Sequence, residues 1–111
     1  MSPQQLEAFG FRECKPSPYD THDSQWWYTV KDKKGKKFPV LVRFWRLSKY
    51  SSPERGEVPD GWDAVAYFKL TKGRHCRVEM SCRDETPAQV VRHFKVMFTR
   101  LRCRYNSLWG E

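Results

Sequence analysis

Hydrophobic positions along the chain follow a helical period at its two ends and a strand period between them. Residues 87–105 carry Val90, Phe94, Met97, Phe98, Leu101 and Tyr105 at three- and four-residue spacings, the stripe of one amphipathic helix. No glycine or proline follows Pro87 in that stretch. Its start is marked by Thr86-Pro87-Ala88-Gln89: a hydroxyl at the N-cap, proline in the first helical position and glutamine at the third, which together satisfy backbone donors left over at a helix start. Ser2-Pro3-Gln4-Gln5 repeats the same grammar. There Gly10 follows Phe9, so the first helix is expected to last only about two turns.

Between the helices the period is two. Residues 26–31, 38–47, 62–70 and 75–82 alternate or nearly alternate, and residues 11–15 form a candidate fifth strand at an edge. Lys33-Lys34-Gly35 and Lys72-Gly73 read as tight hairpin turns, whereas residues 16–24 and 48–61 are longer polar connections. Short turns between consecutive strands imply an antiparallel meander, with the long helix packed on one of its faces. The expected fold is α+β: a short N-terminal helix, four or five strands, and one long C-terminal helix. No repeat, low-complexity tract or linker divides the chain, so residues 1–111 are read as one domain.

Strand by strand, alternate residues collect one apolar side: Trp26, Tyr28 and Val30; Phe38, Val40, Val42 and Phe44; Trp62, Ala64, Ala66, Phe68 and Leu70; Cys76, Val78, Met80 and Cys82. This side is expected beneath the long helix. Ala64 and Ala66 permit a close approach, and Phe94, Met97, Phe98 and Leu101 are large enough to fill the remaining space.

The opposite side is mixed. It holds Trp27, Thr29 and Lys31; Leu41, Arg43, Trp45 and Leu47; Asp63, Val65, Tyr67 and Lys69; and Arg77, Glu79, Ser81 and Arg83. Rings interleaved with cations suit single-stranded nucleic acid, since bases stack on rings while cations meet phosphates. Trp27, Trp45 and Tyr67 are the candidate stacking surfaces. Arg43, Lys69 and Arg77 are candidate phosphate contacts, together with Lys33, Lys34, Lys36 and Lys37 of the lysine-rich hairpin. A plainer role competes: Trp27, Leu41, Trp45, Leu47 and Val65 equally suit a second buried layer under the N-terminal helix, whose Leu6 and Phe9 need cover, or the seam of a homodimer.

Charge and composition add weight to a polyanionic partner. Lysine and arginine number 21 against 13 acidic residues in 111, a formal charge of +8, which attracts polyanions at long range. Five tryptophans exceed what one small core readily absorbs, because indoles are seldom fully buried. On the long helix Arg92, Lys95 and Arg102 lie opposite the apolar stripe, and Arg100 and Arg104 lie along one flank. No acidic residue occurs between Ala88 and Leu108. A helix face of one sign forgoes intrahelical ion pairs and is suited to an acidic partner surface. That supports a second class of function, a small adaptor or inhibitor of the kind that phages or mobile elements encode.

Catalytic motifs are absent. There is no glycine-rich phosphate loop, nucleophile elbow or zinc-protease helix. Asp60, Asp63 and Glu79 with Lys69 form the only candidate for a metal-dependent nuclease cluster, and alternation alone does not make those carboxylates converge. The chain is therefore expected to be non-enzymatic, without cofactor or metal. Cys14, Cys76, Cys82 and Cys103 form no Cys-x-x-Cys pair and read as small apolar fillers. No leader pattern opens the sequence and no run of roughly 18 apolar residues occurs, so an intracellular, cytoplasmic protein away from membranes is expected.

Overall fold

The computed structural model describes residues 1–32, 34–70 and 73–109, with side chains described as far as Leu101. Lys33, Lys72 and the side chains of Arg102, Cys103, Arg104 and Tyr105 lie outside the described residues. Helix α1 (Pro3–Phe9) leads into strands β1 (Arg12–Cys14), β2 (Ser24–Lys31), β3 (Lys37–Trp45), β4 (Gly61–Lys69) and β5 (His75–Ser81), and α2 (Pro87–Trp109) follows. The strands form one open antiparallel sheet in the order β1-β2-β3-β4-β5, and the architecture is α+β as the periodicity predicts.

Both helix starts use the expected caps. The Ser2 hydroxyl accepts from the Gln5 N–H at 3.2 Å. At α2 the box is reciprocal: Gln89 N–H donates to the Thr86 hydroxyl at 3.2 Å, and Thr86 N–H donates to the Gln89 side-chain oxygen at 2.8 Å. Gly10 ends α1 with φ of 121°, a backbone shape that side chains rarely adopt, and a Cβ there would also meet the Tyr28 ring at 3.3 Å. In the β2–β3 hairpin the Asp32 carboxylate accepts from the N–H groups of Lys34 and Lys36, at 2.9 and 2.8 Å. An aspartate thus organises the lysine-rich turn that Gly35 closes with a φ of 80°.

Several boundaries differ from the sequence expectation, most by one residue; β2 starts two residues early, at Ser24. β3 stops at Trp45, because β2 begins only at Ser24 and aspartate side chains take over from missing strand partners. Arg46 N–H donates to Asp23 at 2.6 Å, and Ser48 N–H to Asp60 at 2.9 Å. α2 continues past Tyr105 to Trp109, the residue before the next glycine.

The apolar side of the sheet is the core. Val30, Val40, Val42, Ala64, Ala66, Val90 and Phe94 are inaccessible to solvent. Phe38 packs edge-on against Phe68 with ring centres 4.8 Å apart, and Phe98 of α2 lies 5.0 and 5.2 Å from those two rings. Each such buried side chain contributes about 1.5–3 kcal/mol relative to exposure. Trp26 stacks on Trp62 at 5.6 Å within the same face, and its indole N–H is buried without a hydrogen-bond partner among the described residues.

The position of α1 corrects one of the two plain readings of the other face. Leu6 joins the same core cluster as the α2 residues, and Phe9 packs against Tyr28 at 5.2 Å. Both helices therefore lie on one side, and α1 touches α2. Among the described residues neither α1 nor α2 covers the second face of the sheet. The cysteines also divide: Cys82 is buried in the core and Cys76 packs against it, but Cys14 is exposed on β1 and is no filler.

Candidate functional site

Strand pairing places the candidate residues row by row on the uncovered face. Residues paired directly across an antiparallel ladder share a face, so Arg12, Trp27, Leu41, Val65 and Glu79 form one row from edge to edge. The next row is Cys14, Gln25, Arg43, Asp63 and Ser81. Toward the hairpin end Thr29 faces Pro39, Tyr67 faces Arg77, Lys31 faces Lys37, and Lys69 faces His75.

The centre of this face is dry. Val65 is inaccessible and Leu41 is 5% exposed, although α1 and α2 both pack on the other face. Their cover comes from neighbouring side chains. Trp27 on β2 and Tyr67 on β4 reach toward one another across β3, with ring centres 6.0 Å apart and planes 26° from parallel. Both rings are only half-buried, so one surface rests on the aliphatic layer and part of the aromatic area stays open to solvent.

Beside this pair runs a charged network. Arg43 donates from Nε and Nη2 to the two carboxylate oxygens of Asp63 at 2.8 and 2.5 Å, a forked pairing, and its Nη2 lies 3.6 Å from Glu79. Glu79 also forms an ion pair with Arg77. The hydrogen-bonded Asp63 carboxylate raises the Arg43 pKa above its ordinary value, against the opposing effect of partial burial. The Arg43 guanidinium lies 5.0 Å from the centre of the Trp45 ring, and that of Arg77 lies 6.0 Å from the centre of Tyr67. Trp45 is held on further sides: its indole N–H donates to the Thr21 hydroxyl at 3.3 Å, and His22 meets the ring edge-on at 5.7 Å. His22 is itself fixed by Gln25 at 2.8 Å.

These contacts sort the candidates. Trp27 and Tyr67 form a partly open aromatic platform, while Trp45 is engaged by Arg43, Thr21 and His22. Arg43 is committed to Asp63 and Glu79. Lys34, Lys36, Lys37, Lys69 and Arg77 are exposed, as are Arg92, Lys95 and Arg100 on α2. Those α2 cations belong to the opposite side of the molecule, because α2 packs on the core face. They do not join the platform. The carboxylates of the nuclease-like set are similarly occupied: Asp63 and Glu79 by guanidinium groups, and Asp60 by the Ser48 N–H. Among the described residues no group of three His, Cys, Asp or Glu side chains is placed to hold a metal ion.

Pro39, Tyr67, Lys69, His75 and Arg77, joined by Phe68 and Cys76, line a shallow groove of about 380 Å3 at the hairpin end of the face. None of the lining residues is acidic. At the same end the exposed Lys31 and Lys37 stand directly opposite one another, an arrangement that costs stability in the absence of a counter-anion. Sequence reasoning missed Arg12, Pro39, His75, Thr21 and His22 as parts of this face. The first three follow from strand parity once the register is known, but nothing local to Thr21 or His22 signals that their loop folds against Trp45.

Against protein-family models, curated proteins and solved structures the chain finds no match. Among the described residues no helix is long and apolar enough to cross a membrane.

Proposed function

We propose that the protein is a non-enzymatic nucleic-acid-binding module that takes a single strand across the uncovered face of its sheet. Bases stack on the Trp27–Tyr67 platform, with Trp45 at the far side. Phosphates meet Lys31, Lys37, Lys69 and Arg77 and the lysines of the hairpin. Arg43 acts differently from these: held by Asp63, it braces Trp45 and leaves phosphate contact to the rim. The observation that carries the reading is the half-exposed aromatic pair beside a groove that is rimmed by cations and free of acidic lining. Stacking is indifferent to base identity and the rim contacts address the backbone, so broad rather than sequence-specific recognition is expected.

Fluorescence titration of the wild-type protein with short single strands at several salt concentrations tests this. Trp27→Ala, checked for folding by circular dichroism, is expected to lose roughly 1–3 kcal/mol of binding with little change in salt slope, since it removes stacking and leaves the phosphate contacts in place. Replacing Lys31, Lys37 and Lys69 together by serine is expected to flatten the salt slope, because fewer counterions are released on binding. Absence of binding by the wild-type protein at low salt overturns the proposal.

One observation favours a second reading. Arg92, Lys95 and Arg100 are exposed on the outer surface of α2, a helix without acidic residues as far as Leu108. This surface suits an acidic protein partner. Arg92→Glu with Lys95→Glu is expected to abolish capture of such a partner while leaving single-strand binding unchanged. Loss of strand binding in that variant would place the nucleic acid on the helix and not on the sheet.

A further inference from the structure

β5 closes the sheet at one edge, and among the described residues no strand pairs with its outer side. Which of its backbone groups face outward follows from two hydrogen bonds at its ends. Leu70 N–H donates to the Arg74 carbonyl at 2.7 Å, and Cys82 N–H to the Trp62 carbonyl at 3.1 Å. In an antiparallel ladder such pairs recur at every second residue. Cys76, Val78 and Met80 therefore direct their N–H and C=O groups at β4. His75, Arg77, Glu79 and Ser81 direct theirs away from the sheet.

We propose that β5 pairs antiparallel with β5 of a second copy of this chain, about a two-fold axis through Val78. Only registers that oppose outward-facing residues can form the ladder, which leaves a short set of choices. An axis through residue 77 sets Arg77 against Arg77, and one through residue 79 sets Glu79 against Glu79. The axis through Val78 sets Arg77 of each copy against Glu79 of the other, and His75 against Ser81. It is also the register that pairs the strand over its whole length. Opposite charges directly across a ladder stabilise it and like charges oppose it, so charge selects this one register. On the core side the same register brings Val78 against Val78 and Cys76 against Met80. These three side chains are half-exposed in the single copy although they pack against its core.

An axis of this kind runs perpendicular to the sheet. Both pairs of helices then lie on one side of a ten-stranded sheet, and both aromatic faces lie on the other. The two grooves containing Tyr67, Lys69 and Arg77 flank the seam. The pairing itself stands independently of what the open face binds.

Sedimentation velocity of the full chain over a concentration series tests the proposal. Wild-type protein is expected to dimerise with rising concentration. Arg77→Glu alone and Glu79→Arg alone each confront like charges twice across the seam, and each is expected to raise the dissociation constant about tenfold or more. The double variant Arg77→Glu/Glu79→Arg recreates the complementarity and is expected to restore the dimer. Val78→Cys places two thiols at a non-hydrogen-bonded pair, with Cα atoms about 4.5 Å apart, inside disulfide range. It is expected to cross-link under mild oxidation beyond the wild-type level, and it decides the matter should either reversal fail to fold by circular dichroism. A wild-type chain that stays monomeric, reversals that leave dimerisation unchanged, a double variant that does not recover, or Val78→Cys cross-linking no better than wild type would each overturn the pairing.

Discussion

The two faces of the sheet reach dryness by different means. On the core face Val40, Val42, Ala64 and Ala66 are sealed by a helix that crosses them, and the seal involves Phe94 and Phe98 from a distant part of the chain. On the opposite face Val65 is equally dry and Leu41 nearly so, but the groups beside them are two rings and a set of ion pairs borne by the strands themselves. A helix gives cover that comes off only when the domain unfolds. Side chains that lean across a strand give cover that can change rotamer locally. The first arrangement serves stability, whereas the second leaves part of the aromatic surface of Trp27 and Tyr67 open to solvent.

The largest expected effect contrasts neighbours that point to the two faces. Val42→Asp inserts an unpaired carboxylate beneath the helix and is expected to abolish the folded state, while Arg43→Leu leaves Asp63 half-exposed and is expected to cost about 1–3 kcal/mol. Thermal melts followed by circular dichroism check this, and equal losses would mean that the faces are not distinct. Next, Phe94→Ala is expected to lose about 3–5 kcal/mol as it opens a cavity between α2 and the sheet. Trp27→Ala should lose less, because its ring is already half in water, and urea midpoints give the ranking.

A smaller effect concerns the start of the helix that seals the core. Thr86→Ala removes one half of the reciprocal cap and is expected to cost about 1 kcal/mol. Denaturant titration measures it, and a loss as large as that of Phe94→Ala would contradict the packing account. An effect of similar size is expected in mild alkali. Burial pushes the Cys82 thiol from 9.0 up to about 12. The unfolded thiol ionises first, so the contribution of Cys82 is fully present below the unfolded value and is lost as pH rises toward the folded one. Between about pH 8 and about pH 10 the wild-type urea midpoint is therefore expected to fall further than that of Cys82→Ala. Parallel curves for the two proteins would rule out this source.

Much of this contrast is legible in the residues. The parity shared by Val40, Val42, Ala64 and Ala66 separates the faces, because a strand sends alternate side chains to opposite sides whatever its surroundings. The threonine, proline and glutamine at residues 86–89 mark the start of α2 for an equally local reason. The placement of α1 is not local: Leu6 and Phe9 describe an apolar stripe, but a stripe does not say which sheet face it will meet. The same limit hides the Arg43–Asp63 fork. Alternation puts both residues on one face, yet their direct opposition depends on how the chain between β3 and β4 closes. For residues 16–23 no periodicity exists to read, so the fixing of Trp45 by Thr21 and His22 emerges only in three dimensions.

The plain order of the strands has a kinetic consequence. Each strand pairs only with its predecessor and successor, so every sheet contact closes a comparatively short loop, and the entropy lost at each closure is modest. The β2–β3 hairpin, with its turn already organised by Asp32, is the natural nucleus. The docking of α1 beside α2 joins opposite ends of the chain and should come late. Stopped-flow folding would then show Val40→Ala slowing refolding, while Leu6→Ala mainly hastens unfolding.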